Sequence, residues 1–325
     1  MTAHGRVTVL GSFNVDHVWR CTELPVPGQT LGGEYSTGPG GKGFNQATAA
    51  ARSGASTAFI CALGDDVGAQ WARALAVADD IDLLDERSEL PTGTAGIYVD
   101  AAGRNSIVIG AGANGALSAT FVDAQRERIA ASDVLLAQLE SPIPAVASAL
   151  QTAHAAGVLT MLNPAPANAV VPAGIWVHVD VATPNETEFC AHLARDRGLT
   201  VDPDGVAAHD DAGLHALCRL WQPAATVVLT LGAAGCFVSH PAGRLRGDAS
   251  AHYRVAAVLV EPVDTTGAGD AFNGALAASL ACAPDRPFQQ HIRFAGAYAG
   301  VSTERMGAAL SMPHRDEVDR RFGRF

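Results

Sequence analysis

Aromatic side chains are scarce in this 325-residue chain, with four Trp, four Tyr and eleven Phe, and methionine is scarcer still at four. Neither supply suffices for the stacked platform on which single-stranded nucleic acid lies. Basic residues are short as well: 22 Lys and Arg stand against 33 Asp and Glu, for a formal net charge of -11. A phosphate backbone needs clustered positive charge, so no nucleic-acid partner is expected. No apolar run reaches the roughly 18 residues of a membrane span, and residues 1–10 lack a basic stretch followed by a long apolar one. The expectation is a cytoplasmic protein with no membrane partner. Six cysteines (Cys21, Cys61, Cys190, Cys218, Cys236, Cys282) form no C-x-x-C pair, which fits buried thiols in a reducing compartment better than a zinc or disulfide framework. The eleven histidines show no H-x-x-x-H spacing, and no G-x-S-x-G marks a serine hydrolase.

Apolar residues, by contrast, make up 48% of the chain against 17% charged, ample for the core of one large domain or two. Short β-rich apolar runs at residues 7–10, 57–63, 134–138, 159–163, 177–183 and 226–231 alternate with Ala-rich helical stretches at 44–52, 67–77, 121–130, 144–156 and 186–193. Strands apolar throughout and separated by helices predict an α/β fold, a mostly parallel sheet flanked by helices on both faces. Ligands of such sheets gather beyond the carboxyl ends of the strands. Residues 13–38 and 94–112 break the rhythm, and the second reads I-Y-V-D, A-A-G-R-N, S-I-V-I, a hairpin with its turn near Gly103. The two excursions are expected to pair into a small sheet, either a lid that keeps water from a reaction site or a passive edge extension. The core then comprises residues 1–12, 39–93 and 113–325, ending in helices at 269–283, 288–304 and 315–322.

Residues 264–272, D-T-T-G-A-G-D-A-F, combine three backbone amides, of Gly267, Ala268 and Gly269, with an aspartate at what reads as the mouth of a helix. A helix N-terminus offers unpaired N–H groups and a partial positive charge, which suit a phosphate or the charge that builds on one during transfer. Asp270 in the first turn either takes a proton from an attacking hydroxyl or simply complements the helix dipole. Spacing alone leaves both open.

The G-P-G-G-K-G run at 38–43 has G-x-G-x-x-G spacing, yet the first strand runs into Ser12, Asn14 and Asp16 instead of into it. It is therefore not a dinucleotide fingerprint. Nor is it a P-loop, because Gly43 follows Lys42 where Ser or Thr is required. Asn14 and Asp16 lie past a strand end and suit a hydroxylated ligand, or else satisfy their own turn. Lys42, Asn45 and Glu140 present the same choice. In N-E-T-E, Glu186 and Glu188 are helix-start acids, or Asn185 and Glu188 hold the waters of a magnesium ion. T-L-G-A-A-G at 230–235 is a strand end and glycine turn before another strand.

In order along the chain, G-S-F-N-V-D, G-G-K-G-F-N-Q-A, A-G-A-N-G-A-L-S, A-Q-R-E-R-I-A, L-E-S-P, L-N-P-A-P-A, T-P-N-E-T-E and D-T-T-G-A-G-D-A-F-N-G-A-L resemble segments of the ribokinase family, the PfkB carbohydrate kinases, over about residues 7–313. The resemblance implies a ribokinase-like fold with a small β-sheet lid, and transfer of the γ-phosphate of ATP to the 5-hydroxyl of ribose; deoxyribose, another sugar or a nucleoside is the alternative acceptor. It implies that Asn14, Asp16, Gly41, Lys42, Asn45 and Glu140 hold the sugar, with Asp270 as base and the amides of Gly267, Ala268 and Gly269 as anion hole. Asn185, Thr230, Gly232, Gly235, Gly269 and Gly296 would line the ATP site, and Asn185 with Glu188 would match the family's N-x-x-E magnesium motif. A potassium ion would sit at Asp264, Thr266, Ser302, Arg305, Gly307 and Ser311, and the lid would pair with that of a second subunit in a homodimer. Phe44 departs from the small residue usual in the family and is expected to narrow the sugar pocket. Gly296 stands where a larger residue can meet the adenine, the stretch after the N-x-x-E helix is lengthened, and residues 208–213 read as extra loop.

Overall fold

The computed structural model describes residues 5–325. Its strands, in chain order, are β1 (Arg6–Leu10), β2 (Asn14–Arg20), β3 (Glu34–Gly40), β4 (Ser56–Leu63), β5 (Asp82–Arg87), β6 (Gly93–Val99), β7 (Asn105–Gly110), β8 (Val134–Ala137), β9 (Leu159–Leu162), β10 (Val181–Ala182), β11 (Thr226–Thr230), β12 (Cys236–Ser239) and β13 (His252–Val255). They form a nine-stranded sheet in the order β13-β12-β11-β10-β9-β8-β1-β4-β5 and a four-stranded sheet in the order β3-β2-β6-β7. In the large sheet every neighbouring pair from β5 to β11 is parallel, and β12 and β13 add antiparallel.

Strand composition explains why both faces are covered. Along β4, Phe59, Cys61 and Leu63 belong to one apolar core, while Ile60 and Ala62, pointing the other way, belong to a second. A strand with no polar face must be roofed twice, and the helices on each side do so. Within the first core the Lys42–Arg52 and Ala268–Cys282 helices approach closely. A Cβ on Gly274 would lie 2.3 Å from the Gln46 carbonyl oxygen and 2.6 Å from the Ala49 Cβ. Small residues at this crossing bring the two helices, and the side chains on their first turns, within hydrogen-bond reach.

The small sheet is mixed. Its central pair, β2 with β6, is parallel, and the outer pairs are antiparallel. The β6–β7 hairpin turns through Gly103 at φ 77°, and the Asp100 carboxylate accepts from the Ala102 and Arg104 amides.

Several sequence expectations shift. The helix read over residues 121–130 is two pieces, Ala119–Ala124 and Arg126–Ala130, broken at Gln125, whose ψ of 11° leaves the helical range. The strand read over 177–183 shrinks to Val181–Ala182, because Val177 and Val179 end a short helix, Ala173–Trp176, and the turn after it. The N-E-T-E helix runs on to Arg197 and stops at Gly198 in the left-handed region, φ 68°. Residues 208–213 are the end of a 3-10 turn and the start of a helix, Asp211–Trp221, capped by the Asp210 carboxylate on the Gly213 amide at 2.7 Å.

Candidate active site

The residues that the sequence singles out lie beyond the carboxyl ends of β1, β8, β9, β10 and β11. A cavity of about 170 Å³ opens there, bounded by Lys42, Asn185, Glu188, Thr230 and Gly267 through Asp270, and also by Asn163, Thr183, Thr265 and Asn273. A larger cavity, about 440 Å³, sits at the amino ends of β8 and β9 beside Ser132, Asp133 and Leu159. It contains none of the sequence-identified residues, and its size alone gives it no chemistry.

Gly267 starts the Ala268–Cys282 helix in the left-handed region, φ 77°, a conformation that costs a glycine nothing. The Ala268 amide donates to the Thr265 carbonyl at 3.1 Å. Of the three amides read as an anion hole, those of Gly267 and Gly269 are therefore the ones without an acceptor among the described residues. Asp270 follows in the first turn and is buried. Asn45 Nδ2 donates to its Oδ2 at 2.8 Å and Gln46 Nε2 to its Oδ1 at 2.9 Å. Burial raises the Asp270 carboxyl above the ordinary carboxylate value, against the pull of the Lys42 charge and of these two amides. A carboxylate so held is more basic than one in water, as a general base requires.

Burial works to lower the Lys42 ammonium, but the charges of Asp270, Glu140 and Glu188 outweigh it and the net direction is up, so the lysine stays charged. Asp16 is pushed up to about 7, by burial first and then by the charges of Glu140 and Asp270. Glu140 accepts from Ser12 Oγ at 2.5 Å and from the Lys42 amide at 3.0 Å, which ties the end of β1 to the start of the Lys42–Arg52 helix. Gly41 precedes that helix at φ 86°, where a Cβ would meet the Asn14 nitrogen at 2.8 Å. Asn114, absent from the sequence-derived set, clamps Asn14. Its Nδ2 donates to Asn14 Oδ1 at 2.8 Å and to the Phe13 carbonyl at 2.9 Å, leaving the Asn14 amide group as a donor. Asn45 Oδ1 is buried with no partner among the described residues, an acceptor left unused by the protein.

Asn185 and Glu188 form a reciprocal capping box: Asn185 Oδ1 accepts from the Glu188 amide at 2.8 Å, and Glu188 Oε2 from the Asn185 amide at 2.9 Å. Both roles read from N-E-T-E are compatible, because only Glu188 Oε2 is used in the capping box and the side chain borders the cavity. Among the described residues no group of three or more His, Cys, Asp or Glu is arranged to hold a metal ion directly. A lone carboxylate suits a magnesium ion that keeps most of its water. The Asp264 carboxylate accepts from the Thr266 and Gly307 amides, each at 3.0 Å, and although burial acts to raise it, the Thr266 side chain and these two amides hold it below the usual range. Ser302 and Ser311 donate to the carbonyls of Ala299 and Ala308, leaving their oxygens as acceptors, and the Arg305 guanidinium is paired with Glu317. Anionic and neutral oxygens of this kind fit a large monovalent cation, with Arg305 able to offer only its carbonyl.

Phe44 overturns its expectation. Its ring is 1% exposed and packs edge-on against Phe13, centroids 5.1 Å apart, and against Phe59 at 6.0 Å. It faces the core, so it does not narrow the cavity; two positions along a helix turn its side chain about 200° away from that of Lys42. Of the residues expected at the sugar only Lys42 borders the 170 Å³ cavity; Asn14, Asp16, Gly41, Asn45 and Glu140 do not, and neither do Gly232, Gly235 and Gly296. Gly235, at φ 89°, shapes the β11–β12 turn, and a Cβ on Gly296 would meet open space. The sequence signal for Asn163, Thr183 and Asn273 was only their place after a strand or one turn into a helix. Gln46, one turn into a helix, and Gln138, just past β8, have the same placement, but their use depends on which way the helix and the strand end face.

A buried carboxylate, two amides without an acceptor among the described residues and a cavity bordered by Glu188 and Asp270 meet at one helix mouth. Residues 5–315 match the model of the pfkB family carbohydrate kinases. The chain is 39% identical to the ribokinase of Haemophilus influenzae over 318 residues, 96% of each chain. Among solved structures it is similar to Giardia lamblia ribokinase, with a TM-score of 0.85 at 27% identity, and to Arabidopsis thaliana ribokinase complexed with ribose and ATP, with a TM-score of 0.82 at 26% identity, each covering 98% of both chains. By its residues, its fold and these likenesses, the chain belongs to the pfkB family of carbohydrate kinases.

Proposed function

We propose that this protein is an ATP-dependent kinase that phosphorylates the 5-hydroxyl of D-ribose. The observation that carries the reading is the buried Asp270, oriented by Asn45 and Gln46 at the mouth of a helix whose Gly267 and Gly269 amides have no acceptor among the described residues. Asp270 takes the hydroxyl proton as the sugar oxygen bonds to the γ-phosphorus. The bond from that phosphorus to the β–γ bridging oxygen breaks, and ADP leaves. The transition state is loose, so positioning and charge stabilisation supply most of the acceleration. Asn14, Asp16, Gly41, Lys42, Asn45 and Glu140 hold the sugar. Asn185, Thr230, Gly232, Gly235 and Gly296 flank the nucleotide.

One lysine, Lys42, feels three carboxylates here, Asp270, Glu140 and Glu188, and a fourth, Asp16, feels two of them. A polyanionic nucleotide is accommodated in such a site only with counter-charge. Glu188 and Asn185 would hold a hydrated magnesium ion, which would neutralise phosphate charge; Asp264, Thr266, Ser302, Arg305, Gly307 and Ser311 would hold potassium, which would supply positive charge beside the loop leading to the anion hole. The four-stranded sheet acts as the lid that excludes water, the protein works as a homodimer through that sheet, and it resides in the cytoplasm. An ADP-release assay across ribose, 2-deoxyribose, fructose and nucleosides, run in potassium and in sodium salts, tests the reading. Ribose in potassium is expected to give the highest kcat/KM; a nucleoside preference, or equal rates in the two salts, would refute the sugar or the cation assignment respectively.

A further inference from the structure

Gln46 follows Asn45 in the Lys42–Arg52 helix and is fully buried. Its Nε2 donates to Asp270 Oδ1 at 2.9 Å and to Asn163 Oδ1 at 3.1 Å, while its Oε1 accepts from Gln138 Nε2 at 2.5 Å. Reversing the amide would set its oxygen against both Asp270 and Asn163 and its NH₂ against the Gln138 NH₂, so the surroundings fix its orientation. The chain of contacts continues. Asn163 Nδ2 donates to the Thr183 carbonyl at 2.9 Å, the Thr183 hydroxyl pairs with Asn273 Oδ1, and Asn273 Nδ2 donates to the Gly269 carbonyl at 2.8 Å. A closed ring of neutral side chains thus ties the ends of β8, β9 and β10 to both helices, starting at the base and returning to the residue beside it.

We propose that Gln46 is a positioning residue for phosphoryl transfer, holding the Asp270 carboxylate in one plane and in its ionised form by a donor that no proton exchange can remove. The proposal rests on Asp270 being the base. An amide serves where a Lys or Glu would not: it donates without adding a charge, and so keeps the carboxylate basic while orienting it. Asn45 shares the task from the other oxygen, but its own Oδ1 is unpartnered. Every polar atom of the Gln46 side-chain amide that the ring requires is paired within the protein. Gln46 therefore orients and Asn45 also meets substrate.

Single-turnover phosphorylation rates against pH, for wild type, Gln46→Met and Gln46→Glu, test this. Loss of a donor to the ionised form, in Gln46→Met, is expected to move the acid limb of the profile up by about one unit. Gln46→Glu, which sets a second carboxyl against Asp270, is expected to move it further. A rate that falls equally at all pH values with the limb unmoved in both variants would reduce Gln46 to a packing residue and overturn the proposal. Should a Gln46 variant fail to fold, Gln138→Leu removes the donor on Gln46 Oε1 without touching Asp270, and a smaller shift in the same direction is expected, an unmoved limb again counting against it. Asp270→Asn run alongside separates the two claims: wild-type rates there would sink the base assignment itself, whereas a lost rate with unmoved Gln46 limbs sinks only this inference.

Discussion

Asp16 carries a consequence that can be read in solution. In the unfolded chain its carboxyl has the ordinary value of about 3.9, and in the fold it is pushed up to about 7 by burial and by the charges of Glu140 and Asp270. Because the folded value is the higher, its contribution to stability is fully present below the unfolded value and is lost as pH rises through about 7. Sugar binding has the opposite sign, since the ionised carboxylate is the better acceptor for two hydroxyls. The KM for ribose is accordingly expected to rise as pH falls from about 8 to about 6, towards tenfold per unit below the folded value. Asp16→Asn is expected to bind weakly with a flat profile. A wild-type KM that does not change over this interval would contradict the sugar-facing role of Asp16. At this scale the motif residues were legible because a helix mouth, a strand end and a glycine turn each leave a local signature. Phe44 was misread because its neighbours in sequence, Lys42 and Asn45, face the site while its own ring turns into the core.

Between elements, the crossing of the Lys42–Arg52 and Ala268–Cys282 helices sets the distance from Asp270 to its two amide donors. Gly274→Ala adds one methyl 2.3 Å from the Gln46 carbonyl oxygen, and neither backbone can yield without a shift of the whole helix. A loss of about 1–3 kcal/mol in denaturant unfolding is expected, together with lower turnover as Asn45 and Gln46 draw away from Asp270. Unchanged stability with full activity would show that this contact does not set the geometry. Period and composition made most strands and helices readable, since apolar runs with no polar face admit little besides a parallel sheet. What stayed hidden were the broken helix at Gln125, the two-residue β10 and the helix beginning at Asp211, where capping and tertiary contacts decide the outcome. Gln46, Gln138 and Asn163 were likewise illegible, because the ring they form joins residues up to 224 positions apart.

For the molecule as a whole, β7 is the outer strand of the small sheet, and Ile107, Val108 and Ile109 on it are 50%, 67% and 50% exposed. An open apolar edge invites a partner strand or face. Sedimentation of the wild type is expected to give a dimer and of Val108→Lys a monomer; a monomeric wild type at assay concentration would remove the proposed lid-to-lid pairing without touching the chemistry. The chemistry itself rests on one carboxylate at the junction of two helices and five strand ends. Turnover and ribose affinity of Asp270→Asn test it most directly, with ribose binding expected to be nearly unchanged and turnover to fall by on the order of 10² to 10⁴. Turnover close to wild type in that variant would contradict the account.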